Sequence, residues 1–230
     1  MHQRSARRRD VAHRLSAASL DAPAAPLPAA GVRVTKALKE WAPTVEAIGQ
    51  GEQTILFRKG GIKEPTFKPE ATTFLLFPTA FHTDQQLLKP GVAERYAQAL
   101  RLDPKAEPVL QLPYVAQVTG AWTTFDPSVL PALHDFHVWT EQFIETRLKW
   151  RAKQPITVLE LRAWRLRQPL DLATAESMFG CFSWVDLADH NLSDLMAGAQ
   201  PVIGDADYAE RQRRLRAALA QVPTEPLHLD

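Results

Sequence analysis

Apolar and polar residues alternate with two different periods along this chain, and the periods place most of its elements. Between Lys36 and Gly49, the residues Leu38, Trp41, Val45 and Ile48 recur at three, four and three positions, the spacing of one helical face. A helix is predicted there, with Pro43 tolerated in an early turn or marking a kink, and with Gly49 and Gly51 closing it. "QTILFRK" predicts a strand, Gly60-Gly61 a turn, and "TTFLLFPT" a second strand ended by Pro78. The two-proline connection between them predicts a loose hairpin or two neighbouring strands. Val92, Tyr96, Ala99 and Leu100 predict a helix before Asp103-Pro104. "PVLQLPYVAQVTGAWTTF" alternates and predicts strands broken at Pro113 and Gly120.

"DPSVLPALHDFHVWTEQFIETRLKW" reads as a turn followed by an amphipathic helix with Trp139, Phe143, Ile144 and Leu148 on one side and Thr140 as its cap. "ITVLELRAWRLRQPL" carries the clearest strand alternation. "SMFGCFSWVDL" is a short apolar segment, and Asp205 is expected to cap a last helix through Tyr208, Arg211, Leu215 and Leu219. Strands and helices without a regular βαβ rhythm predict an α+β fold, a mixed and mainly antiparallel sheet with packed helices. The expected organisation is a disordered basic arm over 1–33, an α+β core over 34–200, and a C-terminal helix and tail over 201–230.

Composition sharpens that picture at the ends. The first thirty residues hold Arg4, Arg7, Arg8, Arg9 and Arg14 and no aromatic residue, so they lack the apolar surface that offsets ordering entropy. An arginine arm of this kind gains affinity for phosphates by releasing counterions. The formal net charge of the whole chain is only +1, so any basic footprint has to be local. The single cysteine, Cys181, excludes an intramolecular disulfide and an all-cysteine zinc site, and the cytoplasm is the expected compartment. No apolar run approaches the roughly 20 residues that span a bilayer, so no membrane partner is expected.

Several segments in consistent order carry a resemblance: "ALKEWAPTVEAIGQGEQTILFRKGGIKE", "FLLFPTAFH" with "LLKP", "HVWTEQFIETRLKW", "PITVLELRAWRL" and "GCFSWVDL". Together, over Lys36 to Leu187, they resemble the bacterial family of domain of unknown function 1802. The resemblance implies association with restriction-type systems and assigns no catalytic residue and no cofactor.

Four groups of residues carry candidate chemistry. Arg58, Lys59, Gly60, Gly61 and Lys63 form a basic glycine turn able to bind an anion; Lys59 precedes the glycines, which excludes a nucleotide P-loop. His82, His134 and His137 are weak catalytic candidates, with His134 and His137 spaced to share a helical face, and no metal is assigned to them. Glu160 and Arg162 lie two apart on a strand, as in restriction-type nucleases. Arginine replaces the usual lysine there and cannot give up a proton as a base. A cross-strand ion pair is the expected fate of Arg162. Arg147, Lys149, Arg162 and Arg165 interleave with Trp139, Trp150, Trp164, Phe182 and Trp184, a pattern that can serve single-strand binding but more often marks a core with arginines at its rim.

The preferred expectation is a nucleic-acid-associated binding or accessory module, and the alternative is a metal-dependent hydrolase or nuclease-like enzyme. Ligand, cofactor and oligomeric state stay open. The turn from Lys59 to Glu64 is expected to edge a surface cleft closed by "FPTAFH".

Overall fold

The computed structural model of the chain describes residues 32–60, 66–149 and 152–229. Residues 1–31 of the predicted arm lie outside the described residues, as do Gly61, Lys63 and Trp150, and the side chain of Arg147 is likewise not described; Arg33, at the end of the expected arm, begins β1. The fold is α+β. Among the described residues, eight strands form one mixed sheet, β1 Arg33–Trp41, β2 Ile55–Lys59, β3 Thr73–Thr79, β4 Val109–Thr124, β5 Ile156–Ala173, β6 Trp184–Asn191, β7 Gln200–Pro201 and β8 Glu225–Pro226. The main order is β2-β5-β4-β3-β1-β6, with β7 on β5 and β8 on β4. Every pairing is antiparallel except β1 with β3.

The predicted helix over Lys36 to Gly49 is half right. Its first part is β1, and helix α1 runs only over Ala42–Gly49, with Pro43 in its first turn, where a missing N–H costs nothing. Strand β1 lies between β3 and β6, and Ala37 and Leu38 are both fully buried because each of its faces packs into its own apolar cluster. A strand covered on both sides loses its period-2 signature. Nor do β2 and β3 pair; β5 and β4 stand between them. Pro113 and Gly120 do not break their strand. The 16-residue β4 absorbs them as register shifts between Leu112 and Tyr114 and between Val118 and Gly120 against β5, the 18-residue strand.

Helices α2 Val92–Arg95 and α3 Ala97–Leu100 replace the one predicted helix, broken at Tyr96. Downstream come α4 Val129–Ala132, a 3₁₀ turn over His134–Phe136, and α5 Glu141–Lys149. Trp139 precedes α5 and bridges to Leu88. Short helix α6 Leu192–Leu195 follows β6. The last helix, α7 Asp205–Leu219, begins one residue earlier than Asp205 as a cap requires: Gly204 is its N-cap and the Asp205 carboxylate turns to Arg162 instead.

Three apolar clusters hold these layers. Leu38, Leu56, Phe74, Leu76, Tyr114, Leu159, Leu161 and Trp184 fill the concave face of the sheet with Val45 and Ile48 of α1. Ile55, Phe57, Ile156 and Val158 point the other way, toward the helices, where they meet Leu133, Trp139, Leu215 and Leu219. Ala37, Leu75, Phe77, Val115 and Val185 pack the remaining outer face with Leu192. Gly49 marks the tightest contact of α1 with the sheet, since a Cβ there would lie 2.0 Å from the ring of fully buried Tyr114. Gly49→Ala is therefore expected to cost about 1–3 kcal/mol through overpacking. A double-mutant cycle with Tyr114→Leu checks it: the alanine should cost much less in the leucine background, whereas equal cost in both backgrounds refutes the clash.

Candidate functional site

The two edge strands of the sheet, β2 and β6, are far apart in strand order, yet one side chain joins them. Arg58 shares a face with Leu56, so it leaves β2 on the concave side. Its Nη1 donates to the Lys39 carbonyl oxygen at 3.1 Å and to the Glu40 carboxylate, and its Nη2 donates to Ser183 Oγ at 2.6 Å, just before β6. The guanidinium also lies over the Phe67 ring at 4.9 Å. Arg58 and Glu40 are both largely buried, with side chains 16% and 12% exposed. The curvature of the sheet thus ends in a polar seam at one end of its apolar interior.

Lys39 occupies the same seam from the outer face of β1. It is only 8% exposed. Its Nζ donates to the Gly180 carbonyl oxygen at 3.1 Å and lies 3.7 Å from the centre of the Phe182 ring. Burial pushes the Lys39 ammonium below the usual lysine range, with the neighbouring Cys181 acting weakly in the other direction. Phe182 is 44% exposed, one of the few large apolar side chains open to solvent. Across β1, Thr79 Oγ1 donates to the Glu40 carbonyl oxygen at 3.2 Å, while Trp41 meets Phe81 at 5.3 Å and the exposed His82 ring at 5.6 Å. The "FPTAFH" segment and the end of β2 therefore both gather at the end of β1.

The other predicted residues lie elsewhere. His137 is buried; its Nδ1 accepts the Trp139 N–H at 3.1 Å and its ring meets Phe57 edge-on. Burial, aided by Lys89 and His134, pushes its imidazole down to about 3. His134 stands 6.3 Å from it, ring to ring, on the 3₁₀ turn, and His82 is on the Trp41 side. Among the described residues no group of three or more histidine, cysteine, aspartate or glutamate side chains is placed to hold a metal ion.

Glu160 is 1% exposed beneath α7. Its Oε2 accepts from Thr119 Oγ1 at 2.9 Å, Gln212 Nε2 at 3.1 Å and an Arg216 Nη2 at 2.9 Å, and Tyr208 joins through Thr119 at 2.7 Å. The β4 bulge makes this possible, because a Cβ at Gly120 would lie 2.9 Å from Glu160 Oε2. Arg162 pairs with Asp205 of α7 and lies over the Tyr208 ring, so its carboxylate partner comes from the helix rather than from a neighbouring strand. Arg165 covers the Tyr114 ring and donates to the Gly49 carbonyl oxygen at 3.2 Å. Lys149 is exposed and faces Glu145 at 3.6 Å. Trp139, Trp164 and Trp184 are buried in the core.

Lys39, Glu40 and Ser183 escaped the sequence reading. The helical spacing around Leu38 and Trp41 concealed the strand that presents Lys39 and Glu40 to opposite faces. The side chains of Glu40 and Ser183 are joined through a third residue, Arg58, from a distant strand.

The fold and seam define a curved α+β sheet domain whose edges are joined by a polar seam. The family model for a domain of unknown function, DUF1802, matches residues 37–214, and the chain belongs to that family. The match runs past the resembling segments into α7. No curated protein matches the chain in sequence. Among solved structures, the chain is similar to ASCH from Zymomonas mobilis at 14% identity and a TM-score of 0.40, over 72% of this chain and 95% of that one. A mutant of the same organism's ZmASCH aligns at 14% identity and a TM-score of 0.41, over 72% of this chain and 96% of that one. Among the described residues no helix is long and apolar enough to cross a membrane.

Proposed function

We propose that the protein is a binding module for single-stranded nucleic acid that works at the seam between β1, β2 and β6. The observation that carries this reading is Phe182, which opens part of its ring to solvent while the Lys39 ammonium lies against it at 3.7 Å. An exposed ring backed by a cation is a stacking platform for a base, and stacking of that kind tolerates any sequence. Lys39 forms no ion pair with a described carboxylate, so its charge is left for an anionic ligand. Arg58 at the end of β2 adds positive charge beside it, although Glu40 offsets it. Arg162 and Arg165 are assigned to holding α7 and α1 against the sheet. In the setting that the family resemblance implies, such a module is an accessory to restriction-type systems.

Fluorescence anisotropy with a labelled single-stranded oligonucleotide tests the reading. Affinity should fall steeply with salt. Phe182→Ala should weaken it by about 1–3 kcal/mol, the usual worth of one stacked base. Affinity indifferent to salt, or unchanged by Phe182→Ala in a variant that melts like the native protein, refutes the proposal.

A further inference from the structure

The outer face of β1 continues beyond Lys39. Lys39 and Trp41 are two residues apart in extended backbone, so both side chains leave the same face of the strand, about 7 Å from one another along it. Their surroundings agree: Lys39 Nζ lies 6.0 Å from the centre of the Phe77 ring on β3, and the Trp41 ring meets Trp139 at 5.2 Å on the same side of the sheet. Phe182 comes to Lys39 from the segment leading into β6, and His82 comes to Trp41 from the segment leaving β3. Since β3 and β6 are the two neighbours of β1, the Phe182 and His82 rings flank the end of β1 from either side.

His82 is exposed, yet its ring is held in place. Its Nδ1 donates to the Ala80 carbonyl oxygen at 3.1 Å, and the imidazole stands edge-on to the Trp41 ring at 5.6 Å. An exposed ring adds little to the core, so packing alone does not account for the arrangement. A flat surface ring that is already oriented loses little freedom when a base stacks on it, and histidine serves as such a platform as phenylalanine does.

We infer that His82, held on Trp41, is a second stacking position for the same single strand whose first base lies on Phe182, with the Lys39 charge between the two rings. The inference rests on the reading of the seam as a single-strand site and extends that site across β1: one strand crosses the end of β1 from the β6 side to the β3 side, with an aromatic platform at each side and a cation in the middle.

Fluorescence anisotropy of the full chain with a short labelled oligothymidylate tests this in three variants, Phe182→Ala, His82→Ala and His82→Phe. His82→Ala should weaken binding on the order of tenfold. His82→Phe keeps a flat ring and should bind nearly as tightly as the native protein. Melting temperatures report folding separately, and a histidine that only packs on Trp41 would move the melting temperature and leave affinity alone. Weaker binding in Phe182→Ala with none of that loss in His82→Ala overturns this inference and leaves the seam reading standing. Affinity unmoved by Phe182→Ala removes both. A loss in His82→Ala that His82→Phe does not recover assigns the imidazole to a polar contact and likewise overturns its role in stacking.

Discussion

Glu160→Ala is expected to destabilise the fold by about 3–5 kcal/mol, the usual cost of removing one partner from a buried charged network. The reason lies in what stays behind. Glu160 Oε2 receives hydrogen bonds from Thr119, Gln212 and Arg216, and with the carboxylate gone Arg216 loses its ion-pair partner and buried Gln212 an acceptor. Buried Gln212 cannot readily reach water, because α7 closes over β5, and Arg216, with 22% of its side chain exposed, reaches it only in part. Urea unfolding of the native protein and the variant measures the difference. Removing both charges together, in Glu160→Leu with Arg216→Leu, should recover much of the loss, since it leaves no orphaned ion. A cost below about 1 kcal/mol for the single alanine would show that the network contributes no more than an exposed pair does.

Acid should weaken the fold through His137. Burial holds its imidazole at about 3 in the native state, against 6.5 when unfolded. The native state favours the neutral ring, whose Nδ1 accepts the Trp139 N–H. Stability from this group is therefore complete above pH 6.5 and is lost as pH falls from 6.5 toward 3, where only the unfolded chain takes up the proton. One proton corresponds to about 1.4 kcal/mol per pH unit, so about 4 kcal/mol separates the ends of that window. His137→Asn keeps a side-chain acceptor for Trp139 and removes the titration. Between pH 7 and pH 4.5 the native protein should lose about 2–3 kcal/mol more than this variant in urea unfolding. Parallel losses in the two proteins would assign the acid sensitivity to other groups. His137 acts here in folding, whether or not it meets a ligand.

Elements set by local pattern were legible in the chain. β5 alternates so regularly, with Glu160 and Arg162 on one face and Leu159 and Leu161 on the other, that its strand and its facing follow from period 2 alone. The fold class, the strands "ILFRK" and "TFLLFPT", the helical tendency after Gly91 and the last helix were determined in the same way. The basic end of β2 was also visible as chemistry, since Arg58 and Lys59 stand together before the glycines.

What the sequence could not determine were the long-range pairings. β1 looks helical because a strand buried on both faces has no polar side to mark it, and only its place between β3 and β6 makes it a strand. Pro113 and Gly120 read as breaks, but the length of β5 alongside carries β4 through both as bulges, and the bulge at Gly120 is what lets Thr119 reach Glu160. The seam is tertiary altogether. Its residues come from positions 39 and 40, 58, and 180 to 183; β1 and the segment before β6 meet by direct pairing, and Arg58 reaches them because the sheet curls until its edge strands face one another. Local periodicity reports which face of an element is apolar; which elements meet depends on how those faces are buried together, and this protein's candidate sites lie where they meet.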